Sequence, residues 1–272
     1  MQRALKEDVR DGDHTALATI PSDHRGKMQL LVKEDGIIAG VEAAVQTFRI
    51  IDKTLSVKVL IKDGRKVKKG DIVFIVEGNT QTLLTTERLV LNIMQRMSGI
   101  ATKTKYLQTL CKGTETKVID TRKTTPGFRF FEKWAVVIGG GANHRYGLFD
   151  MILIKDNHID FSGGIVQAIN AANAYLKKNK LNLPIEVETR TLNDVKKVLK
   201  RKGVQRIMLD NYTPAQTKEA VKLIKGGFEV ESSGGITEKN IADYAKCGVD
   251  FISVGSLTHH VKSLDLSLKA LK

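Results

Sequence analysis

Ile185-Glu186-Val187-Glu188, Arg206-Ile207-Met208-Leu209-Asp210, Phe228-Glu229-Val230-Glu231-Ser232 and Phe251-Ile252-Ser253-Val254-Gly255 are four short runs with apolar residues at their hearts, each ending in a polar residue or glycine. Helix signals separate them. Thr191 to Lys202 follows the first run and stops at Gly203. Thr213 caps the next helix, with Pro214 in its first position and Gln216 completing a capping box, and Gly226-Gly227 ends it. A third helix is capped by Thr237 and closed by Gly248. Strand, loop and helix repeated in this way predict parallel strands joined by crossover helices. Glu188, Asp210, Ser232 and Gly255 follow one another at intervals of 22, 22 and 23 positions. In a β/α barrel such positions gather on one rim, the face where these folds build their active sites.

The pattern extends upstream. Val118-Ile119 and Ile152-Leu153-Ile154 read as strands leading to Arg122-Lys123 and Lys155, while the run Gly139-Gly140-Gly141 leads to His144-Arg145. Cations collected at strand ends repel one another and are costly to desolvate, so an anion held at several points is the natural counterpart. The rim thus carries cations on its first half and carboxylates in its middle. It ends in a cradle of Ser233-Gly234-Gly235 and Gly255-Ser256, where backbone N–H groups suit a phosphate. Glu188 and Asp210 suit Mg²⁺, a ribose, and positive charge building at an anomeric carbon. A Schiff-base aldolase using Lys155 or Lys123 as nucleophile is a second reading of the same rim. A Walker A loop and a dinucleotide G-x-G-x-x-G after a strand are both absent.

Residues before about Thr86 read as a mixed, mainly β domain, with strands at Leu30-Leu31-Val32, Lys58 to Ile61 and Asp71 to Val76. The turn Asp11-Gly12-Asp13-His14-Thr15 reads as structural. A long helix follows from Thr86, striped by Leu89, Ile93, Met97 and Ile100. The net charge of +14 raises nucleic-acid binding, but the lysines alternate with apolar residues on helices and only 6% of residues are aromatic, which favours a solvated basic surface. Such a surface draws in small polyanions. No apolar run approaches the roughly 20 residues of a membrane helix. Cys111 and Cys247 lack a His/Cys cluster and suit a reducing compartment, so the cytoplasm is the expected location.

Taken together, several motifs closely resemble the quinolinate phosphoribosyltransferase family along nearly the whole chain. They include Thr86-Glu87-Arg88, Thr121-Arg122-Lys123-Thr124-Thr125-Pro126-Gly127, His144-Arg145, Lys155-Asp156-Asn157-His158, Glu186-Val187-Glu188, Leu209-Asp210-Asn211 and Ser233-Gly234-Gly235-Ile236. The resemblance implies an α/β fold: an N-terminal α/β sandwich (residues 1–109, joined by the tail 264–272) and an open seven-stranded α/β barrel (residues 110–263). It implies transfer of a phosphoribosyl group from phosphoribosyl pyrophosphate to quinolinate, with Mg²⁺ and with decarboxylation. It also implies a homodimer or a hexamer of dimers with shared active sites. Carried over, Arg88 comes from the neighbouring subunit, and Arg122, His144, Arg145 and Lys155 grip the quinolinate carboxylates. Lys123, Glu188 and Asp210 face the phosphoribosyl pyrophosphate and its metal. Ser233, Gly234, Gly235, Gly255, Ser256 and His259 cradle the 5-phosphate.

Overall fold

The computed structural model describes residues 1–271, which fall into two compact units. The first unit takes Met1–Lys105, Thr125–Gly140 and the chain from His260 onward. It opens with helices α1 (Gln2–Val9) and α2 (His14–Thr19). The Asp13 carboxylate caps α2 by accepting the Ala16 N–H at 3.0 Å, so the turn preceding α2 is structural, as expected. There follow β1 (Arg25–Val32), β2 (Gly36–Ile37), α3 (Val41–Ile51), β3 (Ser56–Val59), β4 (Lys66–Val67), β5 (Ile72–Asn79) and α4 (Thr80–Leu110). With the late strand β12 (Leu266–Leu271), β1, β5 and β3 build an antiparallel sheet in the order β12-β1-β5-β3, and β2 pairs separately with β4. The core of this unit unites Leu30 of β1, Phe48 of α3, Phe74 of β5, Leu83 of α4 and Leu268 of β12.

Two features depart from the sequence pattern. Helix α3 has no local side-chain cap: Gly40 precedes it with φ of 93°, and Asp63 accepts the Val41 and Glu42 N–H groups at 2.9 and 3.2 Å. Helix α4 begins at Thr80 rather than Thr86, because Asn79 Oδ1 accepts the Thr82 N–H at 3.1 Å. Midway along α4, Gly99 lets the backbone at Lys262 and Ser263 pass where any side chain would collide.

Helix α5 (Arg129–Ile138) belongs to the first unit, although it interrupts the second in sequence. Its Glu132, fully buried, accepts from Arg96 Nε of α4 at 2.7 Å, and Gly139 after it lies against Ala101 and Thr104.

The second unit contains β6 (Lys117–Ile119), β7 (Ile152–Ile154), α6 (Asp156–Phe161), α7 (Ile165–Asn179), β8 (Ile185–Thr189), α8 (Leu192–Leu199), β9 (Arg206–Asp210), α9 (Pro214–Ile224), β10 (Glu229–Ser233), α10 (Ile241–Ala245), β11 (Phe251–Ser253) and α11 (Ser256–His259). Its six strands are parallel, in the order β6-β11-β10-β9-β8-β7. The place of a seventh strand is taken by a single parallel bridge between Ile119 and Ala142. The capping box at Thr213 and Gln216 is present. The helix expected from Thr237 is shorter and starts at Ile241, because Asn240 Oδ1 turns back to accept the Thr237 N–H at 2.8 Å. Among the described residues, no helix is long and apolar enough to cross a membrane.

Candidate active site

The C-terminal ends of the parallel strands carry most of the residues singled out in the sequence. Register sets Glu188 of β8 beside Met208 of β9, and Asp210 of β9 beside Ser233 of β10. Asp210 raises the carboxyl pKa of Glu188 and the Lys155 ammonium lowers it, so the three groups share one electrostatic neighbourhood. For Glu188 the largest influence is burial, and both carboxyl groups are pushed above their usual range chiefly by desolvation. Glu188 Oε1 also accepts the Asp156 N–H at 3.3 Å, and Asn211 Nδ2 donates to Asp210 Oδ2 at 2.7 Å. An oxygen donor set of one buried and one partly buried carboxylate, Glu188 and Asp210 on neighbouring strands, fits a hard divalent cation.

Beyond β10, Gly234 and Gly235 both take positive φ, 89° and 62°. Asn211, itself at φ of 58°, lies so close to Gly234 that no side chain could be built there. After β11, a side chain at Gly255 would press on the Lys123 stem and the His259 ring. Lys123, Gly255 and His259 therefore meet, tied further by the Thr258 hydroxyl donating to the Lys123 carbonyl at 2.7 Å. Ser256 opens α11 at the same place.

The cations of the first half divide differently. Arg122 is exposed, and its charge lowers the pKa of Arg145, on which burial is the larger influence; the two guanidinium groups are neighbours. Arg145 Nη1 donates to the Met151 carbonyl at 3.1 Å. His144 is only 8% exposed. Its Nε2 lies 2.9 Å from Glu186 Oε2 and 3.4 Å from Glu231 Oε2, and its Nδ1 accepts the Arg145 N–H at 2.6 Å. Its ring is thus directed to the interior acids of the sheet. Arg88 stands on α4 in the first unit, exposed and held by no hydrogen bond or ion pair among the described residues.

Glu186 and Glu231 were given no role in the sequence, although each sits two residues before a site residue, Glu188 or Ser233, on the same strand face. Burial pushes their carboxyl groups up to about 7 and about 8, and Arg206, with Nη1 3.5 Å from Glu231 Oε2, supplies counter-charge. Despite the short distances to His144, no aligned hydrogen bond reaches either oxygen of Glu186 or Oε1 of Glu231 among the described residues. Protonation is the relief open to such a pair. An acid whose pKa rises on folding contributes stability that is fully present below its unfolded value and lost as pH climbs through the folded one. Thermal stability is therefore expected to fall between about pH 4.5 and pH 8, and Glu231→Gln should flatten that slope. Parallel melting curves for the two proteins that stay parallel across this range would contradict the assignment.

The chain resembles known proteins along nearly its whole length. Residues 13–98 match the model for the N-terminal domain of quinolinate phosphoribosyl transferase, and residues 100–269 match that for its C-terminal domain. The chain is 46% identical to quinolinate phosphoribosyltransferase [decarboxylating] 2, mitochondrial, of Nicotiana glauca, over 99% of this chain and 80% of the relative. It is 48% identical to the chloroplastic carboxylating nicotinate-nucleotide pyrophosphorylase of Arabidopsis thaliana, over 98% of this chain and 80% of the relative. The crystal structure of NadC from Streptococcus pyogenes superposes with a TM-score of 0.93 at 38% identity, covering 100% of this chain and 95% of that one.

Proposed function

Because the chain belongs to the quinolinate phosphoribosyl transferase family, we propose that it moves the phosphoribosyl group of phosphoribosyl pyrophosphate onto the ring nitrogen of quinolinate. One carboxyl group leaves as CO₂, and the products are nicotinate mononucleotide and pyrophosphate. What supports the reading above all is a set of cations, Arg122 beside Arg145 and Lys155 beside Glu188, together with the paired acids Glu188 and Asp210. The first set suits a dianionic acid and the second a carbon gaining positive charge.

Quinolinate nitrogen is a weak nucleophile, so holding it in line with the anomeric carbon supplies much of the acceleration. Arg122, Arg145 and Lys155 bind its two carboxylates. Gly234, Gly235, Gly255 and Ser256 offer backbone N–H groups to the 5-phosphate, with Ser233, His259 and the Lys123 ammonium beside them. As the bond from the anomeric carbon to pyrophosphate breaks and the bond to nitrogen forms, Glu188 and Asp210 stabilise the positive charge on the sugar. The ring is then a pyridinium, which takes up the electron pair released when the adjacent carbon–carbon bond breaks and CO₂ departs. That ring carbon gains a proton in return. Glu188 and Asp210 are also the residues that would hold Mg²⁺, which when bound neutralises pyrophosphate and eases its departure. A reducing compartment such as the cytoplasm suits the free thiols of Cys111 and Cys247. Arg88 is assigned to the site of a second copy, in a homodimer or a hexamer of dimers.

Incubation with phosphoribosyl pyrophosphate, Mg²⁺ and quinolinate should yield the mononucleotide and CO₂ in equal amounts. EDTA should abolish turnover and added Mg²⁺ restore it. Nicotinate, with one carboxylate for the same cations, should be a poor substrate; preferential use of nicotinate would overturn the reading.

A further inference from the structure

The interior acids beneath the rim lie outside the roles assigned above. His144 is fixed from three sides within the second unit. Asp120 Oδ1 accepts its backbone N–H at 2.9 Å, and its Nδ1 accepts the Arg145 N–H at 2.6 Å. Its Nε2 faces the carboxylates of Glu186 and Glu231 at 2.9 and 3.4 Å. The Nδ1 contact decides the state of the ring. A nitrogen that accepts an N–H carries a lone pair, because a proton there would meet the Arg145 amide hydrogen head-on. The ring proton is therefore on Nε2, on the side of the acids. A carboxylate facing one imidazole nitrogen fixes the tautomer and so the hydrogen bond made by the other.

We propose that Glu186 and Glu231 are positioning residues for quinolinate recognition: they hold His144 in the Nε2–H tautomer, and His144 in turn fixes the backbone of Arg145. The chain of contacts runs from the sheet interior to the rim without leaving the unit. Arg206 completes the arrangement from the far side: its Nη1 lies 3.5 Å from Glu231 Oε2, and its guanidinium stacks 4.1 Å above the Phe251 ring. Glu186 is the nearer acid, at 2.9 Å from the ring nitrogen. The proposal rests on the functional reading above, since it assigns Arg145 to a quinolinate carboxylate.

Glu186→Met and Glu186→Gln test it as a pair. Methionine fills the space but accepts no proton, whereas glutamine keeps an acceptor oxygen for Nε2–H. Glu186→Met should raise KM for quinolinate at least tenfold and leave KM for phosphoribosyl pyrophosphate within twofold, while Glu186→Gln should stay within threefold of the parent on both. Nitrogen NMR of the imidazole rings should find the Nε2–H tautomer at His144 in the parent and in Glu186→Gln, and its loss in Glu186→Met. The parent spectrum alone keeps the idea testable if Glu186→Met fails to fold: a doubly protonated or Nδ1–H ring at His144 overturns it. Equal effects of Glu186→Met on both substrates, or a stoichiometric metal ion retained by these residues in the purified protein, overturn it too. If the parent itself does not consume quinolinate, the functional reading fails, and the NMR result still decides how His144 is held.

Discussion

Replacing Arg145 by alanine is expected to lower kcat/KM for quinolinate by about 10²- to 10³-fold, the loss typical when one partner of a buried, hydrogen-bonded charge pair is truncated. Arg145 is half-buried, tied to the Met151 carbonyl, and placed beside Arg122, whose like charge disfavours its protonated state. Two guanidinium groups held together raise the energy of the empty site, and an arriving dianion removes that repulsion. Because the strain is relieved by quinolinate, KM for phosphoribosyl pyrophosphate should move little. Arg145→Lys keeps the charge but loses the planar fork that pairs two oxygens, so it should recover only part of the loss. Steady-state kinetics with each substrate varied in turn make the check. A uniform fall in both specificity constants would remove Arg145 from quinolinate recognition.

The second large effect is a recovery. Arg88→Ala and Glu188→Ala should each be nearly inactive alone, the first for want of a carboxylate partner and the second for want of charge beneath the sugar. Arg88 is exposed on α4 and held by no hydrogen bond or ion pair among the described residues, with only the charge of Glu87 near it, which leaves its guanidinium available to another chain. If a second copy uses it, a hybrid dimer of the two variants contains one site with both residues intact. Random exchange makes half the dimers hybrid, each with one of two sites working, so activity should return to about a quarter of the parent level. Subunit exchange verified by native mass spectrometry with no return of activity would place Arg88 in its own chain's site or in none.

Much of this was legible in the sequence, for a physical reason. Parallel strands buried on both faces are short apolar runs, and the helices between them announce themselves through caps such as Thr213 with Gln216. The rim follows once the strand ends are found, which is how Glu188, Asp210 and Lys155 were placed together. Other features depend on partners far along the chain. Helix α3 starts only because Asp63 reaches Val41, and α5 leaves the second unit because Glu132 finds Arg96. The direction of the His144 ring was illegible for the same reason, since it answers to acids on β8 and β10. A usable signal did exist: Glu186 and Glu231 are charged residues within buried strands, facing the same way as Glu188 and Ser233 two residues on.

The pairing of β12 with β1 constrains the order in which the molecule can be completed. Val32 lies opposite Leu266, so the sheet of the first unit waits for a strand made after the whole of the second unit. At bacterial or eukaryotic elongation rates, that delay is on the order of 10 to 50 seconds during synthesis. Throughout it β1 presents an open edge, the kind of surface that recruits stray strands from other chains. The nascent first unit is thus a natural client for chaperones. Removing β12 should injure the unit at the opposite end of the sequence, producing aggregation during expression while the parallel sheet stays able to form.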